Sequence, residues 1–229
     1  MGAMSESPIR VLIVDDESLI RSAFRKLLEA SDGFEVVGEA RDGGEGIEAF
    51  EKHRPDAVLM DLQMAPVNGL EAIRAICTAH SDACILALTT FGTRQHIVAA
   101  LRAGASGYLL KDSRPEQLIT GIRQAISGDM PLSSTVRRQL VDVIVAEPIP
   151  PTPEVNLTRR EKELVQWLTH GLTNRQIGRN MGLSEGSVKQ YLSHVGDKLG
   201  VTSRTQILIR AIQLRLVDPP RPFTPAPGR

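Results

Sequence analysis

The sequence has only two cysteines, Cys77 and Cys84, no long hydrophobic run and no internal repeat. The cysteines form no CxxC pair and lie in periodic apolar segments, so we expect two buried thiols and not a disulfide bridge or a metal site. No apolar run approaches the roughly 18 residues of a membrane span, and the first residues lack a hydrophobic signal core. These absences predict a soluble, cytoplasmic protein.

The 229 residues are enough for two domains, and their charge is unevenly divided. Residues 1–130 carry 13 Lys and Arg against 19 Asp and Glu, whereas residues 131–229 carry 14 against 8. Ten basic and four acidic residues lie within 157–217. This division indicates that only the second half meets a polyanion, although a basic surface is often no more than a solvated face.

Short apolar runs alternate with helix-period segments through the first half. The runs predict five strands, at Ile9–Val14, Phe34–Gly38, Ala57–Met60, Cys84–Leu88 and Tyr108–Leu110. Between and after them, apolar residues recur every three or four positions, as in Leu19/Ala23/Leu27 and Leu118/Ile122/Ala125. Strands that are apolar throughout belong in a sheet covered on both faces. The pattern predicts an α/β, doubly wound (βα)5 domain.

The composition changes after this domain. We expect a linker at 128–156, with one helix near Ser134–Ala146 and four prolines between Pro148 and Pro153. Residues 157–217 have an all-helical pattern, and the Pro-rich tail 218–229 is predicted to be disordered. Residues 1–7 are expected to be disordered or a cloning remnant.

Polar residues follow four of the predicted strands. They are Asp15 and Asp16, Asp61, Thr89 and Lys111. The carboxyl ends of parallel strands share one edge of the sheet, where ligands bind in this fold. Three carboxylates there would repel one another unless a hard cation such as Mg²⁺ lay among them.

Asp61 is the candidate nucleophile of this pocket. A carboxylate accepts a phosphoryl group when the developing charge is balanced, which Lys111 and Mg²⁺ would do, and Thr89 could bond a phosphoryl oxygen. Each residue taken alone has an ordinary explanation, since Asp often ends strands and caps helices. The set of five favours phosphoryl chemistry.

Longer motifs around these positions resemble the receiver domain of bacterial two-component response regulators, which implies a flavodoxin-like fold at residues 8–127. They are Asp15-Asp16, Leu59-Met60-Asp61-Leu62-Gln63-Met64, Leu88-Thr89-Thr90 and the run from Ala103 to Asp112. The resemblance implies that Asp15, Asp16, Asp61 and the main-chain carbonyl of Gln63 bind Mg²⁺. It also implies that a sensor histidine kinase phosphorylates Asp61, with Thr89 and Tyr108 as the switch pair. The family usually has Pro at the position of Ala65, whereas here Pro66 follows it. Because proline fixes φ, this shift changes which residue is rigid in the loop after Asp61.

In the basic half, the sequence predicts a helix-turn-helix. Thr158 and Glu161 form a capping box, and Thr173 and Ser184 are expected to cap two further helices. On the third helix, an apolar repeat faces the core, which leaves the intervening polar residues outside: the repeat is Val188, Leu192, Val195 and Leu199.

The outward polar residues are candidates for reading bases, and others could grip phosphates. The base-reading candidates are Lys189, Gln190, Ser193 and His194, and the phosphate candidates are Thr173, Asn174, Arg175, Lys198 and Arg204. The alternative is an ordinary polar helix face. The caps, the turn and the positive charge favour DNA.

Residues 157–216 resemble the LuxR-type DNA-binding domain. Together with the receiver resemblance, which brings the matched part to about four-fifths of the chain, they resemble a NarL/FixJ-type transcription regulator. The matching motifs include Gly171-Leu172-Thr173-Asn174, Ser187-Val188-Lys189 and Lys198-Leu199-Gly200-Val201, and the resemblance adds Ser187 to the DNA contacts. It implies a non-enzymatic protein that binds double-stranded promoter DNA as a homodimer, paired through a last helix near Gln206–Leu216, with RNA polymerase as a further candidate partner. Gly178, Gly186 and Gly196 depart from the pattern, and each helical glycine should cost about 1 kcal/mol relative to Ala.

Two rivals remain at this point. An aspartyl-phosphate phosphatase of the haloacid-dehalogenase kind would also use Asp61, but it needs an acid two residues later, where Gln63 stands. A regulator of the same fold could instead act without phosphorylation. The complete acidic pocket and Lys111 argue against that reading.

Overall fold

The computed structural model describes residues 7–90, 94–132, 136, 140 and 155–217. Strands and helices alternate through the first half: β1 Ile9–Val14, α1 Ser18–Glu29, β2 Phe34–Ala40, α2 Gly43–His53, β3 Ala57–Asp61, α3 Gly69–Ala79, β4 Ile85–Thr89, α4 Arg94–Ala103, β5 Gly107–Leu110 and α5 Pro115–Ile126. The second half is helical: α6 Arg159–Thr169, α7 Asn174–Met181, α8 Glu185–Leu199 and α9 Arg204–Gln213. The predicted element order is confirmed.

The five strands form one parallel sheet in the order β2-β1-β3-β4-β5. All residues of β3 and β4 are buried, as expected of strands covered on both faces. Helices α2, α3 and α4 contribute to the apolar cluster on one face, and α1 and α5 contribute to the cluster on the other. The predicted doubly wound flavodoxin-like fold is confirmed.

Helix α1 is where predicted, but of its apolar repeat only Leu27 packs against the core. Leu19 is 83% exposed and Ala23 is also exposed. The helix packs instead through Leu28, which is fully buried, with Phe24 and Leu27 partly buried beside it. Spacing alone predicted the helix but does not show which of its residues are buried.

The predicted caps of the helical half are present. Thr158 and Glu161 form the capping box of α6, and Thr173 forms another at α7 with Gln176. The Ser184 side chain accepts the backbone N–H of Ser187 at the start of α8. The predicted core repeat of α8 is buried throughout: Val188, Leu192, Val195 and Leu199.

Two of the unusual glycines allow close backbone approach. A Cβ at Gly178 would lie 2.6 Å from the carbonyl oxygen of Leu183, and one at Gly196 would lie 2.6 Å from that of Val201. At Gly186 the nearest atom to such a Cβ is 3.9 Å away, and nothing in the structure explains this glycine. Gly178 and Gly196 therefore permit the turns that follow their helices to fold back tightly.

The two halves are in contact. Helix α9 packs against α4, and a single apolar cluster runs from one face of the sheet into the core of the helical half. The side chain of Thr205 donates to the carbonyl of Ser106 at 3.4 Å, and that of Gln206 donates to the carbonyl of Arg102 at 3.4 Å.

Several predictions concern residues that the structure does not describe. Most of the expected helix at Ser134–Ala146, the proline segment 148–153, residues 1–6 and the tail 218–229 lie outside the described residues. Cys77 and Cys84 are free thiols, as predicted, although each is only partly buried. Burial raises the pKa of each to about 11. Within the described ranges, no helix has the length and apolar character needed to cross a bilayer.

Candidate functional site: an acidic rim and a basic helical unit

The acidic site lies at the carboxyl edge of the sheet. Asp15 directly follows β1, Asp61 is the last residue of β3, Thr89 ends β4 and Lys111 follows β5. Asp15, Asp61 and Thr89 are almost fully buried, whereas Asp16 is exposed. The structure thus brings together the residues that the sequence predicted at the strand ends.

Lys111 lies between the buried carboxylates. Its Nζ atom is 2.8 Å from Oδ2 of Asp15 and 3.1 Å from Oδ2 of Asp61. The Lys111 side chain is only 6% exposed. Its ammonium group therefore offsets part of the negative charge that the fold concentrates at this edge.

The pKa values of Asp61 and Lys111 are shifted by burial and by their interaction with each other, which act in opposite directions. Burial raises the pKa of Asp61 above its ordinary value, while the hydrogen bond and the charge of Lys111 oppose that rise. Burial also acts to lower the pKa of Lys111, but the carboxylates of Asp15 and Asp61 outweigh it and the net change is upward. The lysine is therefore held in its charged form beside the two carboxylates.

The acidic side chains are close enough to share a cation. Asp15, Asp16 and Asp61 each offer a carboxylate oxygen, and these oxygens lie within 4.8 Å of one another. Among the described residues this is the only such acidic, His or Cys group. Hard oxygen donors in this number suit a hard divalent cation.

The backbone beside Asp61 is tightly packed. The N–H of Gln63 donates to Oδ1 of Asp61 at 3.3 Å, so the Gln63 main chain lies next to that carboxylate while its side chain is exposed. A Cβ at Gly69 would lie 1.9 Å from the carbonyl oxygen of Asp61. Only glycine allows α3 to begin so close to the end of β3.

Thr89 and Tyr108 lie on the neighbouring strands β4 and β5. Thr89 is 1% exposed and Tyr108 is 1% exposed. Burial raises the pKa of Tyr108 to about 12, and a hydrogen bond with Thr89 partly opposes this rise. The tyrosine ring already lies inside the protein in this structure.

The sequence prediction missed two residues at this edge. Glu17 directs its carboxylate to Lys111 Nζ at 3.3 Å, and its backbone N–H donates to Oδ1 of Asp15 at 2.9 Å. Arg21, one helical turn later, donates from Nη1 to the carbonyl oxygen of Asp15 at 2.6 Å. The available signal was their place directly after Asp15-Asp16, with Glu17 at the N-cap of α1 and Arg21 at the end of its first turn.

In the basic half, the predicted base-reading residues share one exposed face of α8. Lys189, Gln190, Ser193 and His194 are all exposed, and Ser187 is partly exposed near the start of the helix. Lys189 lies near Glu185 one turn earlier, with 4.0 Å between the charged groups. The face carries the donors and acceptors that base edges require.

The predicted phosphate-gripping residues are in more varied settings. Arg175 is exposed, and Thr173 caps α7. Lys198 pairs with the buried Glu161 at 2.7 Å. Arg204 donates to the side-chain oxygen of Asn174 and to the carbonyl of Leu172.

Asn174 is bonded to the first half of the chain. Its backbone N–H donates to Oδ1 of Asp129 at 2.8 Å. Its side-chain nitrogen donates to the carbonyl oxygens of Ser127 at 3.3 Å and Gly128 at 3.4 Å. A Cβ on Gly128 would lie 3.8 Å from Cε of Lys189. The segment after α5 therefore borders the start of α7 and the exposed face of α8.

The chain is similar to known proteins over nearly all of its length. Residues 11–123 match the response regulator receiver domain, and residues 155–211 match the LuxR family of bacterial regulatory proteins. The transcriptional regulatory protein LiaR of Bacillus subtilis is 35% identical over 210 residues, which cover 92% of this chain and 100% of LiaR. The nitrate/nitrite response regulator NarL of Escherichia coli K12 is 32% identical over 213 residues, covering 93% of this chain and 99% of NarL.

A solved structure is similar over the same span. The crystal structure of the response regulator ChrA, from a heme-sensing two-component system, is 35% identical and has a TM-score of 0.52. The match covers 92% of this chain and 100% of that one.

Proposed function

Because the chain belongs to the two-component response regulators that join a receiver domain to a LuxR-type DNA-binding domain, we propose that phosphorylation of Asp61 by a sensor histidine kinase controls its binding to promoter DNA. The observation that carries this proposal is the position of Lys111, whose ammonium group lies within 3.1 Å of both Asp15 and Asp61. A phosphoryl group on Asp61 adds negative charge at the same point. The lysine is already in place to balance that charge.

In the proposed transfer, a carboxylate oxygen of Asp61 forms a bond to phosphorus. The bond between phosphorus and the imidazole nitrogen of the kinase phosphohistidine breaks, and its electron pair stays on that nitrogen. Thr89, at the end of the neighbouring strand, is positioned to donate its hydroxyl to a phosphoryl oxygen. The movement of Thr89 would then change the packing of Tyr108, which lies beside it on β5, and so alter the surface of the receiver domain.

The pocket residues fit a magnesium ion. The donor set is made of carboxylate oxygens within 4.8 Å of one another, the chemistry that Mg²⁺ prefers in proteins. Asp15, Asp16, Asp61 and the main-chain carbonyl of Gln63 would hold it. When bound, the ion neutralises negative charge on the phosphoryl oxygens.

The helical half supplies the DNA contacts in this proposal. Lys189 and Gln190, with Ser187, Ser193 and His194, would read bases from the exposed face of α8, in the manner of a recognition helix. Phosphates would be gripped around the ends of the unit, by Thr173, Asn174, Arg175, Lys198 and Arg204. The contacts of Ser127–Asp129 with Asn174 and the closeness of Gly128 to Lys189 support a resting state in which this surface is partly covered.

We further propose the organisation of the chain and its partners. The receiver domain is placed at 8–127, the linker at 128–156 and the DNA-binding domain at 157–217. The protein works by binding and not as an enzyme. Phosphorylation releases the DNA-binding domain, two copies pair on adjacent half-sites, and the dimer is then able to meet RNA polymerase. Pairing gains avidity of about 10²–10⁴-fold through effective concentration.

Intact mass tests the central step. Incubation with Mg²⁺ and a small phosphodonor should add about 80 Da, the mass of one phosphoryl group bound to a carboxylate. Asp61→Asn, which is nearly isosteric, should abolish the gain, and Asp82→Asn, an exposed carboxylate away from the rim, should retain it. Labelling of Asp61→Asn to the wild-type extent would show that Asp61 is not the acceptor.

Sedimentation tests the regulatory step. Phosphorylated protein should form dimers and gain affinity mainly for DNA with two half-sites. If the phosphorylated protein stays monomeric and its affinity rises as much for one half-site as for two, control by dimerisation is excluded.

A further inference from the structure

The backbone N–H, the carbonyl oxygen and Oδ1 of Asp15 are hydrogen-bonded, and its Oδ2 is ion-paired. Its N–H donates to the carbonyl of Ala40 at 3.1 Å, and its Oδ1 accepts the N–H of Glu17. Its Oδ2 lies beside Lys111. The carbonyl oxygen is the remaining group, and it accepts Nη1 of Arg21 at 2.6 Å.

Arg21 is itself fixed from the neighbouring strand. Its Nε donates to the carboxylate of Glu39 on β2 at 3.3 Å, and its side chain is 18% exposed. The guanidinium therefore joins three elements: α1, which carries it, the end of β1, and β2. A rigid, planar donor that makes two such bonds limits how far the Asp15 peptide can tilt.

Arg25 offers a natural comparison on the same helix. It also pairs with Glu39, and in addition with Glu29 at 3.5 Å, but no described contact joins it to Asp15. Loss of either arginine removes an ion pair with Glu39. Only loss of Arg21 also releases the Asp15 carbonyl.

We propose that Arg21 is a positioning residue for the magnesium site: it holds the Asp15 peptide so that the adjoining carboxylate faces Asp61. This inference rests on the proposed function, because it assigns Asp15 to the metal. Residues that hydrogen-bond to a metal ligand and fix its orientation, without touching the metal, typically contribute 10–100-fold to metal affinity. Arg21 was not among the residues predicted from the sequence.

The test is a titration of the full-length protein with MgCl₂, followed by the backbone NMR shifts of Asp61 and Gln63. Arg21→Gln should raise the dissociation constant for Mg²⁺ by about 10-fold. Arg25→Gln should leave the dissociation constant within about twofold of the wild type. Arg21→Lys should give an intermediate value, since the lysine ammonium cannot bond Asp15 and Glu39 with the planar geometry of a guanidinium. Thermal unfolding of each variant identifies any general loss of structure.

Phosphorylation rates give a second readout. With a small phosphodonor, Arg21→Gln should need about 10-fold more Mg²⁺ for half-maximal rate but should reach the wild-type rate at saturation, because Arg21 is placed to affect the site and not the transfer. A purely structural role would not produce this division.

The possible failures are distinct. If wild-type protein binds Mg²⁺ and Arg21→Gln binds it equally well, or if Arg25→Gln weakens binding as much as Arg21→Gln, the positioning role is wrong while the proposed function stands. If Arg21→Gln does not fold, the same comparison is made between Arg21→Lys and Arg25→Lys. If the wild type neither binds Mg²⁺ nor is phosphorylated, both the proposed function and this inference are overturned.

Discussion

The carboxylate of Asp129 accepts the backbone N–H of Asn174 at 2.8 Å, although 45 residues separate them in the sequence. Asn174 is the first residue of α7, where backbone N–H groups have no partner within the helix and attract anions. Under the proposed function, in which Asn174 contacts a DNA phosphate, Asp129 occupies the backbone N–H that the phosphate would bind. The segment that carries it also borders Lys189, through Gly128.

Replacing Asp129 should therefore favour DNA binding without phosphorylation. For the unphosphorylated full-length protein, Asp129→Ala should raise affinity for random-sequence duplex DNA at low salt by about tenfold, the equivalent of one hydrogen bond to a charged group. The measurement is a fluorescence anisotropy titration. Asp82→Asn is the control, since Asp82 and Asp129 line one groove between the two halves and Asp82 has no described bond to α7. Equal affinity of Asp129→Ala and wild type would show that this contact does not restrain DNA binding.

The exposed face of α8 should distinguish base reading from phosphate contact. Lys189→Ala should cost about 1–3 kcal/mol on the best-bound sequence and reduce discrimination. Arg175→Ala should weaken all sequences alike and reduce the dependence of affinity on salt. Selection of sequences from a random DNA pool, followed by titrations at several salt concentrations, measures both effects. Equal losses on selected and random DNA for Lys189→Ala would contradict the division of roles.

The glycines of α8 should respond in opposite directions to the same substitution. Gly196→Ala should destabilise the protein by about 1–3 kcal/mol, because its Cβ would meet the carbonyl of Val201. Gly186→Ala adds a Cβ in open space near the start of the helix and should stabilise it by up to about 1 kcal/mol. Urea unfolding of both variants checks the prediction. A similar change in both would mean that helix propensity, and not the close approach, governs these positions.

The pair between Glu161 and Lys198 should make the stability of the helical half depend on pH. Burial acts to raise the pKa of Glu161, but bonds from Lys198 and Thr158 outweigh it and the net pKa is lowered. A lowered carboxyl pKa contributes stability above the ordinary carboxyl range, and this contribution is lost as the pH falls through the pKa of the folded state.

Glu161→Gln should therefore be less stable than wild type by about 1 kcal/mol at pH 7, and the difference should shrink below about pH 4. Urea unfolding between pH 3 and pH 7 measures it. Glu163→Gln, an exposed carboxylate on the same helix, is the control. A difference that is constant over this range would exclude the ion pair as its source.

The sequence was sufficient to predict the sheet, the acidic residues at its carboxyl edge and the helix caps, because each depends on a local pattern or on a general rule. Parallel strands bring their carboxyl ends together, so Asp15, Asp61 and Lys111 could be grouped before their distances were known. Caps need only a few neighbouring residues, and Thr158 with Glu161 is an example.

Other features depended on information that local pattern does not carry. The contact of Arg21 with the Asp15 carbonyl depends on the rotation of α1. The exposed Leu19 and the buried Leu28 show that the apolar repeat does not reveal this rotation. The bond of Asp129 to Asn174 joins distant segments. Gly196 was read as a cost to the helix, whereas the close carbonyl of Val201 gives it a packing role.

The apolar cluster that crosses from the sheet through α4 and α9 limits how freely the two halves can be exchanged between related regulators. Ile209 of α9 and Ala103 of α4 are both buried members of this cluster. A chimaera that joined this receiver to a helical unit from a relative would leave such side chains facing an unmatched surface. Functional hybrids should therefore require α4 and α9 to be transplanted together. The two helices have to match each other, although they belong to different domains.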